Sequence, residues 1–144
     1  MAAIVTKQDF TGEWLVTSQQ GMDDLLKSLG VGMIKRKAAS GMGFGLNKAK
    51  SIITQNGDEF VIDTKGQKEF SNKFVAGTGK DIPLQTAEGE VAGYAEWTGN
   101  RSLTVKTKMM KNDVVITRTL LEDGTLEMKI EHGKAVAIRI FTKQ

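Results

Sequence analysis

The stretch TLEMKIEHGKAVAIRIF (residues 125–141) carries the pattern that decides the fold. Its first half alternates strictly, with Leu126, Met128 and Ile130 on one face and charged residues on the other. A His-Gly pair at 132–133 separates it from a second alternating run. Alternation with a period of two predicts half-buried antiparallel strands, and the glycine predicts a tight turn between them.

The same rhythm recurs along most of the chain, which has 16 glycines and one proline. Glycine-containing turn signals separate short alternating segments at residues 56–58, 64–66, 88–89, 98–100 and 122–124. Such spacing predicts an all-β sandwich or barrel. Because a sheet of this size avoids exposed edges best by closing on itself, we expect a barrel.

One segment, GMDDLLKSLGVGMIKRKAAS (21–40), breaks the alternation. Its apolar residues recur at helical spacing on both sides of Gly30, which predicts two short helices with a glycine joint. We expect this hairpin to cover the open end of the barrel. The length of 144 residues fits one domain over residues 1–144.

The composition excludes several kinds of site. There is no cysteine and only one histidine, His132, so thiolate chemistry and multi-histidine metal sites are impossible. No catalytic dyad is visible, and we expect a binding protein with no cofactor and no metal, not an enzyme. No run reaches membrane-spanning length, so we expect an intracellular protein. The net charge of +3 is too small to predict a nucleic-acid partner.

Two regions together resemble a known family. Gly12, Trp14 and Val16 precede the acidic helix start in GMDDLLKSLGVG (21–32), and the tail 123–141 ends on two alternating strands. This pattern resembles the intracellular lipid-binding proteins, the fatty-acid-binding and cellular retinoid-binding family. The likeness runs from about Phe10 to Lys143 and is strongest at its two ends.

The resemblance implies a fold and a function. It implies an all-β, ten-stranded antiparallel up-and-down barrel of two near-orthogonal sheets, calycin-like, with a helix-turn-helix lid over about residues 21–40. It further implies a cytoplasmic, monomeric carrier of a hydrophobic molecule held in an internal cavity. A long-chain fatty acid or another acidic lipid is our first expectation, and a retinoid or a bile acid is the alternative.

By the same resemblance, Arg118 and Arg139 hold the ligand's carboxylate. The family's third head-group residue is a tyrosine, and Phe141 stands at its position. Losing that hydroxyl donor costs on the order of 1.5–3 kcal/mol in a bond to a charged acceptor, so carboxylates should bind more weakly.

The alternation of the strands predicts, independently of the family, which face each arginine occupies. Arg118 shares a face with Val114, Ile116 and Leu120, so it projects from an apolar row and needs a partner there. That partner is a ligand carboxylate, an internal glutamate or water at a strand end. For Arg139 the pattern conflicts with the family, because Ile138 and Ile140 on the opposite face are the more apolar side. We follow the family and expect Arg139 to point inward.

The remaining site residues are predicted by strand parity and family position. Ile116, Met128 and Ile130 should line the cavity, although simple core packing is the plainer interpretation for each methionine. We expect Met22, Leu26 and Met33 on the underside of the lid. The lid and portal set is Met22, Leu26, Met33, Arg36 and Phe44.

Basic residues gather on the lid, at Lys27, Lys35, Arg36 and Lys37. Lys27, Arg36 and Lys37 match a structural nuclear-import signal of some family members, which would add a nuclear location and an import receptor as partner. The same patch would suit transient contact with an anionic membrane. A merely solvated basic face is an equally good interpretation.

The glycine-rich stretch ASGMGFGLNKAK (39–50) suggests a phosphate loop at first sight. Phosphate loops lie between a strand and a following helix, whereas these glycines follow the helices and precede a strand. The stretch is about five residues longer than the family pattern, and we expect a flexible or bulged extension near the cavity mouth, with Phe44 at its centre. A small barrel binding single-stranded nucleic acid stays a distant alternative, because few aromatic residues are free to stack bases.

Overall fold

The computed structural model describes residues 8–66 and 68–144, so residues 1–7 and 67 of the predicted domain lie outside the described part. The described residues form ten strands and two helices. The strands are β1 (Gly12–Gln20), β2 (Lys50–Asn56), β3 (Glu59–Lys65), β4 (Phe70–Val75), β5 (Ile82–Thr86), β6 (Gly89–Gly99), β7 (Ser102–Met109), β8 (Asn112–Leu120), β9 (Leu126–His132) and β10 (Ala135–Lys143). The helices are α1 (Met22–Ser28) and α2 (Met33–Gly41), and a single 3-10 turn follows at Gly43–Gly45.

The strands form one antiparallel sheet that curls into a nearly closed barrel. Their order is β4-β3-β2-β1-β10-β9-β8-β7-β6-β5, so the first strand pairs with the last. No backbone ladder joins β4 to β5 within the described residues. There the side-chain amide of Asn72 accepts from the Gln85 N–H at 2.7 Å and donates to the Gln85 carbonyl at 3.0 Å. The predicted ten-stranded up-and-down barrel with two helices is confirmed.

Aromatic side chains fill the end of the barrel away from the helices. Phe60 lies between Phe74, with ring centroids 5.4 Å apart, and Trp97, at 5.6 Å. Phe10 meets the edges of Phe60 and Trp97 at 6.1 and 5.9 Å. The indole N–H of Trp14 donates to the Phe10 carbonyl at 2.9 Å, so burying this ring leaves no unpaired polar atom on it. This end is a packed core and has no room for a ligand.

The lid rests on the opposite end through α1. Leu25 and Leu29 are buried and pack with Val114, Ile130 and Ala137 of the barrel. Gly21 starts the helix with φ 77°, and a Cβ on it would overlap the Val136 carbonyl oxygen. Only glycine permits so close a contact between the helix start and β10.

Helix α2 lies differently from our expectation. It has no buried residue, and its neighbours are α1 and the 3-10 turn. Met33 is 60% exposed and Ile34 is 86% exposed, so Met33 does not lie on the underside of the lid. Leu25 of α1 and Leu29 just after it occupy that place, because they pack on the strands.

The glycine-rich stretch also differs from the predicted flexible or bulged extension. Its first residues lengthen α2 to Gly41, and Gly43–Gly45 then form the 3-10 turn. The Asn47 N–H donates to the Val16 carbonyl at 2.8 Å, and the Val16 N–H donates to the Ala49 carbonyl at 3.0 Å. The stretch is therefore an ordered connection that continues the pairing along β1 before β2 begins.

Candidate functional site

A cavity of about 250 Å³ lies inside the barrel, lined by residues of the strands and their turns. All six residues predicted to contact a ligand line it, namely Ile116, Arg118, Met128, Ile130, Arg139 and Phe141. The rest of its wall is mainly apolar, with Ile62, Phe70, Phe74, Leu84 and Val105. The cavity therefore combines a mainly apolar wall with Arg118 and Arg139, and Lys50, Lys108 and Glu88 also line it.

Both arginines belong to one row of side chains across the sheet. Arg118 on β8 is paired with Met128 on β9, and Met128 is paired with Arg139 on β10. The row continues to Leu103 on β7 and to Gln19 on β1. Since neighbouring strands lie about 4.8 Å apart, the two arginines start about 10 Å apart with Met128 between them. One head group between them could contact both guanidinium groups.

Arg118 has no hydrogen-bond or ion-pair partner among the residues that the structure describes. Burial lowers the pKa of Arg118 to about 10, and no nearby carboxylate offsets that lost hydration. The side chain keeps some accessible surface only because it faces the cavity. Of the three partners considered above for Arg118, the internal glutamate is thus ruled out among the described residues.

Arg139 points inward as the family position predicted, and it does have protein partners. Its Nη2 donates to the Phe44 carbonyl at 3.0 Å, and the guanidinium lies 5.8 Å from the centroid of the Phe141 ring. Its Nε is buried without a partner among the described residues. Burial lowers the pKa of Arg139 as well. The two arginines therefore differ, because a backbone carbonyl holds Arg139 and no described residue holds Arg118.

The isoleucines that conflicted with this orientation are half-buried on the outer face of β10. Ile138 lies across from Lys129, and Ile140 lies across from Glu127. Both of these charged residues are themselves half-buried, so their aliphatic stems cover part of the isoleucine surface. The apolar outer row is therefore compatible with an inward Arg139.

Gln19 lies next to the site, in a position that the sequence did not reveal. The β1–β10 register shifts between Val16 and Ser18, which places Gln19 directly beside Arg139. Its Nε2 donates to the Gly43 carbonyl, while its Oε1 is buried without a partner in the described residues. A β-bulge changes which side chains face inward, and no residue pattern marks it here.

Comparisons with known proteins agree with the sequence motifs. No protein-family model matches the chain. Cellular retinoic acid-binding protein 2 from Homo sapiens is 25% identical over 140 residues, covering 94% of this chain and 99% of the relative. The Bos taurus protein of the same name is 26% identical over 143 residues, with equal coverage. This agreement spans almost the whole chain.

These relatives are members of the intracellular lipid-binding family, to which the chain is therefore similar. Among solved structures, the REP1-NXSQ fatty acid transporter superposes with a TM-score of 0.76 at 24% identity, covering 93% of this chain and 95% of that one. A point mutant of that transporter, in which a phenylalanine replaces a tyrosine, gives the same TM-score at 25% identity, covering 93% and 97%. The resemblance to the lipid-binding family that the motifs suggested is thus confirmed.

In this barrel the predicted lid and portal residues lie outside the main cavity. Met22 packs against the cluster under α1, and Leu26 is half-buried. Phe44 borders a separate cleft with Gln19, Met22 and the start of α1, so its carbonyl and not its ring reaches the site. Met33 lies at a surface groove beside the helix joint.

The basic patch of the lid is smaller than predicted. Lys27, Lys35 and Lys37 are exposed. Arg36 is instead turned inward, since its Nη1 donates to the Val31 carbonyl at 2.7 Å and its Nε lies 3.2 Å from Asp23 Oδ1. Arg36 therefore ties α2 to α1 and the helix joint.

Metal-binding clusters and membrane-spanning helices are both absent from the described residues. Across residues 8–66 and 68–144, no three His, Asp or Glu side chains lie where they could hold a metal ion. No helix in that same part of the chain is long and apolar enough to cross a membrane.

Proposed function

We propose that the protein is an intracellular carrier that binds an acidic lipid, most simply a long-chain fatty acid, inside the barrel. The observation that carries the proposal is Arg118, a buried cation without a protein partner in the described residues that faces an apolar cavity. A buried unpaired charge is very costly, and a bound carboxylate would remove that cost through two parallel hydrogen bonds. Arg139 would complete the head-group site from the other side of Met128.

The cavity is suited to an apolar, chain-like ligand, and its size limits how many molecules one barrel binds. Its wall offers phenylalanine, isoleucine and methionine side chains, and methionine adapts readily to irregular shapes. A volume of about 250 Å³ lies just below the usual range for drug-sized ligands, about 300–1,000 Å³. We therefore propose one ligand per barrel.

The relatives support the same ligand chemistry. Their names refer to retinoic acid and to a fatty acid, both of which are carboxylic acids. A retinoid acid is thus the second candidate, and a bile acid the third. All three share the acidic head group that Arg118 would bind. No group in the site suggests a reaction, so we propose transport and not catalysis.

The test is competition against a fluorescent fatty acid bound to the purified protein. We expect oleic acid to displace the probe stoichiometrically and oleyl alcohol to compete poorly. Retinoic acid, as the second candidate, should compete better than the alcohol. Native mass spectrometry of protein purified without added lipid should show one co-purified acid per chain. Tight, salt-sensitive binding of a single-stranded oligonucleotide with no displacement by lipids would contradict the proposal.

We further propose that the lid contacts anionic membranes during transfer. Exposed Met33 and Ile34 lie next to exposed Lys35 and Lys37, a combination that suits an acidic lipid surface. Ligand transfer to phosphatidylserine vesicles should be faster than to neutral vesicles and should slow in Lys35→Glu. Equal rates would contradict this contact. The import-receptor alternative is weaker because Arg36, one of its three cations, is engaged within the lid. We propose that the protein is cytoplasmic and monomeric.

A further inference from the structure

The glycine-rich connection and the head-group site meet at Arg139. The Phe44 carbonyl accepts from Arg139 Nη2 at 3.0 Å. The neighbouring Gly43 carbonyl accepts from Gln19, which lies directly across from Arg139. Two successive carbonyls of one turn thus contact two adjacent side chains of the inner wall.

The backbone of this turn is shaped for that contact. Phe44 has φ 51° and ψ 31°, a left-handed conformation that is strained for a non-glycine residue. Gly45 follows at φ 86°, and a Cβ on it would lie 2.9 Å from the Ala49 Cβ and 3.2 Å from Arg139 Nη2. The Ala49 N–H holds the turn closed by donating to the Gly45 carbonyl at 2.7 Å. A glycine is therefore required where the turn approaches the arginine.

We infer that this turn, together with Gln19, positions Arg139, and that Arg118 is the principal partner of the ligand's head group. A carboxylate gains most from the cation that has lost its hydration without replacement, and that cation is Arg118. Arg139 already donates to the protein and stacks on Phe141. The role of Arg118 rests on the proposed function, because it concerns the ligand. The contact between the turn and Arg139 concerns the ligand-free protein.

The inference makes the connection depend on Arg139 and not on Arg118. Removing Arg139 deletes the side chain that holds the Phe44 carbonyl, so the amides of residues 45–49 should open more often. Removing Arg118 deletes no contact of the turn, because Arg118 has none among the described residues. Variants of the two arginines should therefore differ in two measured properties, the hydrogen exchange of the turn and the affinity for an acidic ligand.

The experiment measures hydrogen exchange in the ligand-free protein and the affinity ratio of oleic acid to oleyl alcohol. In Arg118→Ala we expect the ratio to fall at least about tenfold, as loss of a charge-assisted hydrogen bond predicts, with unchanged exchange over residues 45–49. In Arg139→Ala we expect a smaller fall, about two- to fivefold, with faster exchange over those residues.

Gly45→Ala tests the turn without touching either arginine. We expect it to reduce the acid-to-alcohol ratio about two- to threefold, because its Cβ displaces Arg139. The matched control is Gly124→Ala, which has nearly the same φ, 87°, and no atom within 4 Å of the added Cβ. Gly124→Ala should lower stability through the same backbone strain and leave the ratio unchanged.

Three outcomes would overturn the inference: unchanged exchange in Arg139→Ala, an equal fall of the ratio in both arginine variants, or the same ratio in Gly45→Ala as in Gly124→Ala. If no variant changes the ratio while Arg139→Ala still accelerates exchange, the proposed acidic ligand fails and the structural role of Arg139 stands.

Discussion

The end of the barrel away from the lid is packed with aromatic side chains, whereas the lid end rests mainly on two leucines. Phe10, Phe60 and Trp97 contact one another at the far end, and the buried polar group of Trp14 is paired. Under the lid, Leu25 and Leu29 form a small cluster, and Arg118 lies beside the cavity without a partner in the described residues.

The difference indicates a division between stability and binding. Apolar burial is concentrated at the aromatic end, so that end should dominate the free energy of unfolding. The lid end has fewer buried contacts, so it should open first and admit a ligand there.

The largest effect is expected from Phe60→Ala. Phe60 is 1% exposed and contacts three aromatic rings, so its truncation should lower the free energy of unfolding by about 3–5 kcal/mol. Denaturant unfolding measures this, with Ile34→Ala as control because Ile34 is 86% exposed. A loss similar to that of the control would break the comparison.

A smaller loss, about 2 kcal/mol, is expected from Leu25→Ala, because the thin cluster under the lid can relax around the gap. The same variant should release a bound fatty acid faster than wild type, as stopped-flow dilution would measure, while Phe60→Ala should not. A loss equal to that of Phe60→Ala with no change in release rate would show that the two ends do not differ.

Arg118→Met should stabilise the ligand-free protein by about 1–2 kcal/mol, since it replaces a buried unpaired charge by an apolar side chain of similar length. The gain should depend on pH. The pKa of Arg118 is about 10 in the folded protein, below its value in the unfolded chain. Above pH 10 the unfolded chain therefore holds more protons than the folded protein, and wild type becomes more stable relative to Arg118→Met.

The difference in unfolding free energy between Arg118→Met and wild type should therefore be constant from pH 7 to 9 and should shrink above pH 10. Denaturant titrations across that range measure it. A wild type more stable than Arg118→Met at pH 7 would mean that Arg118 has a partner in the ligand-free protein.

The smallest effect is expected at the turn between β7 and β8, where Met110 and Lys111 both have left-handed backbones, with φ of 52° and 68°. Glycine is favoured at the second position of such turns. Lys111→Gly should stabilise the protein by about 0.5 kcal/mol, the relief of strain less the greater entropy of the unfolded chain. Thermal unfolding measures this gain, and a clear destabilisation would contradict the observed turn geometry.

Much of the barrel could be predicted because its cause is local. Alternation placed Leu126 and Ile130 of β9, and Ile116 and Arg118 of β8, on the inner face, where the structure has them. For Arg139 alternation favoured the wrong face, and the family position corrected it. Ile138 and Ile140 misled the pattern because charged neighbours cover them across the strands.

Other features depend on contacts distant in sequence. The bulge that turns Gln19 inward arises from how β1 pairs with β10. The glycine turn contacts Arg139, 95 residues away from Phe44. Met33 lies outward because Leu25 and Leu29 pack on the barrel in its place, which helical spacing does not indicate.

The most direct test of the central claim is the ionisation of the bound ligand. A fatty acid labelled with ¹³C at its carboxyl carbon would be titrated in complex with wild type and with Arg118→Met, following the carboxyl resonance. If Arg118 holds the head group, the pKa of the bound carboxyl lies below that of the free acid in wild type and rises above it in Arg118→Met. A bound carboxyl that titrates alike in both proteins would contradict the claim.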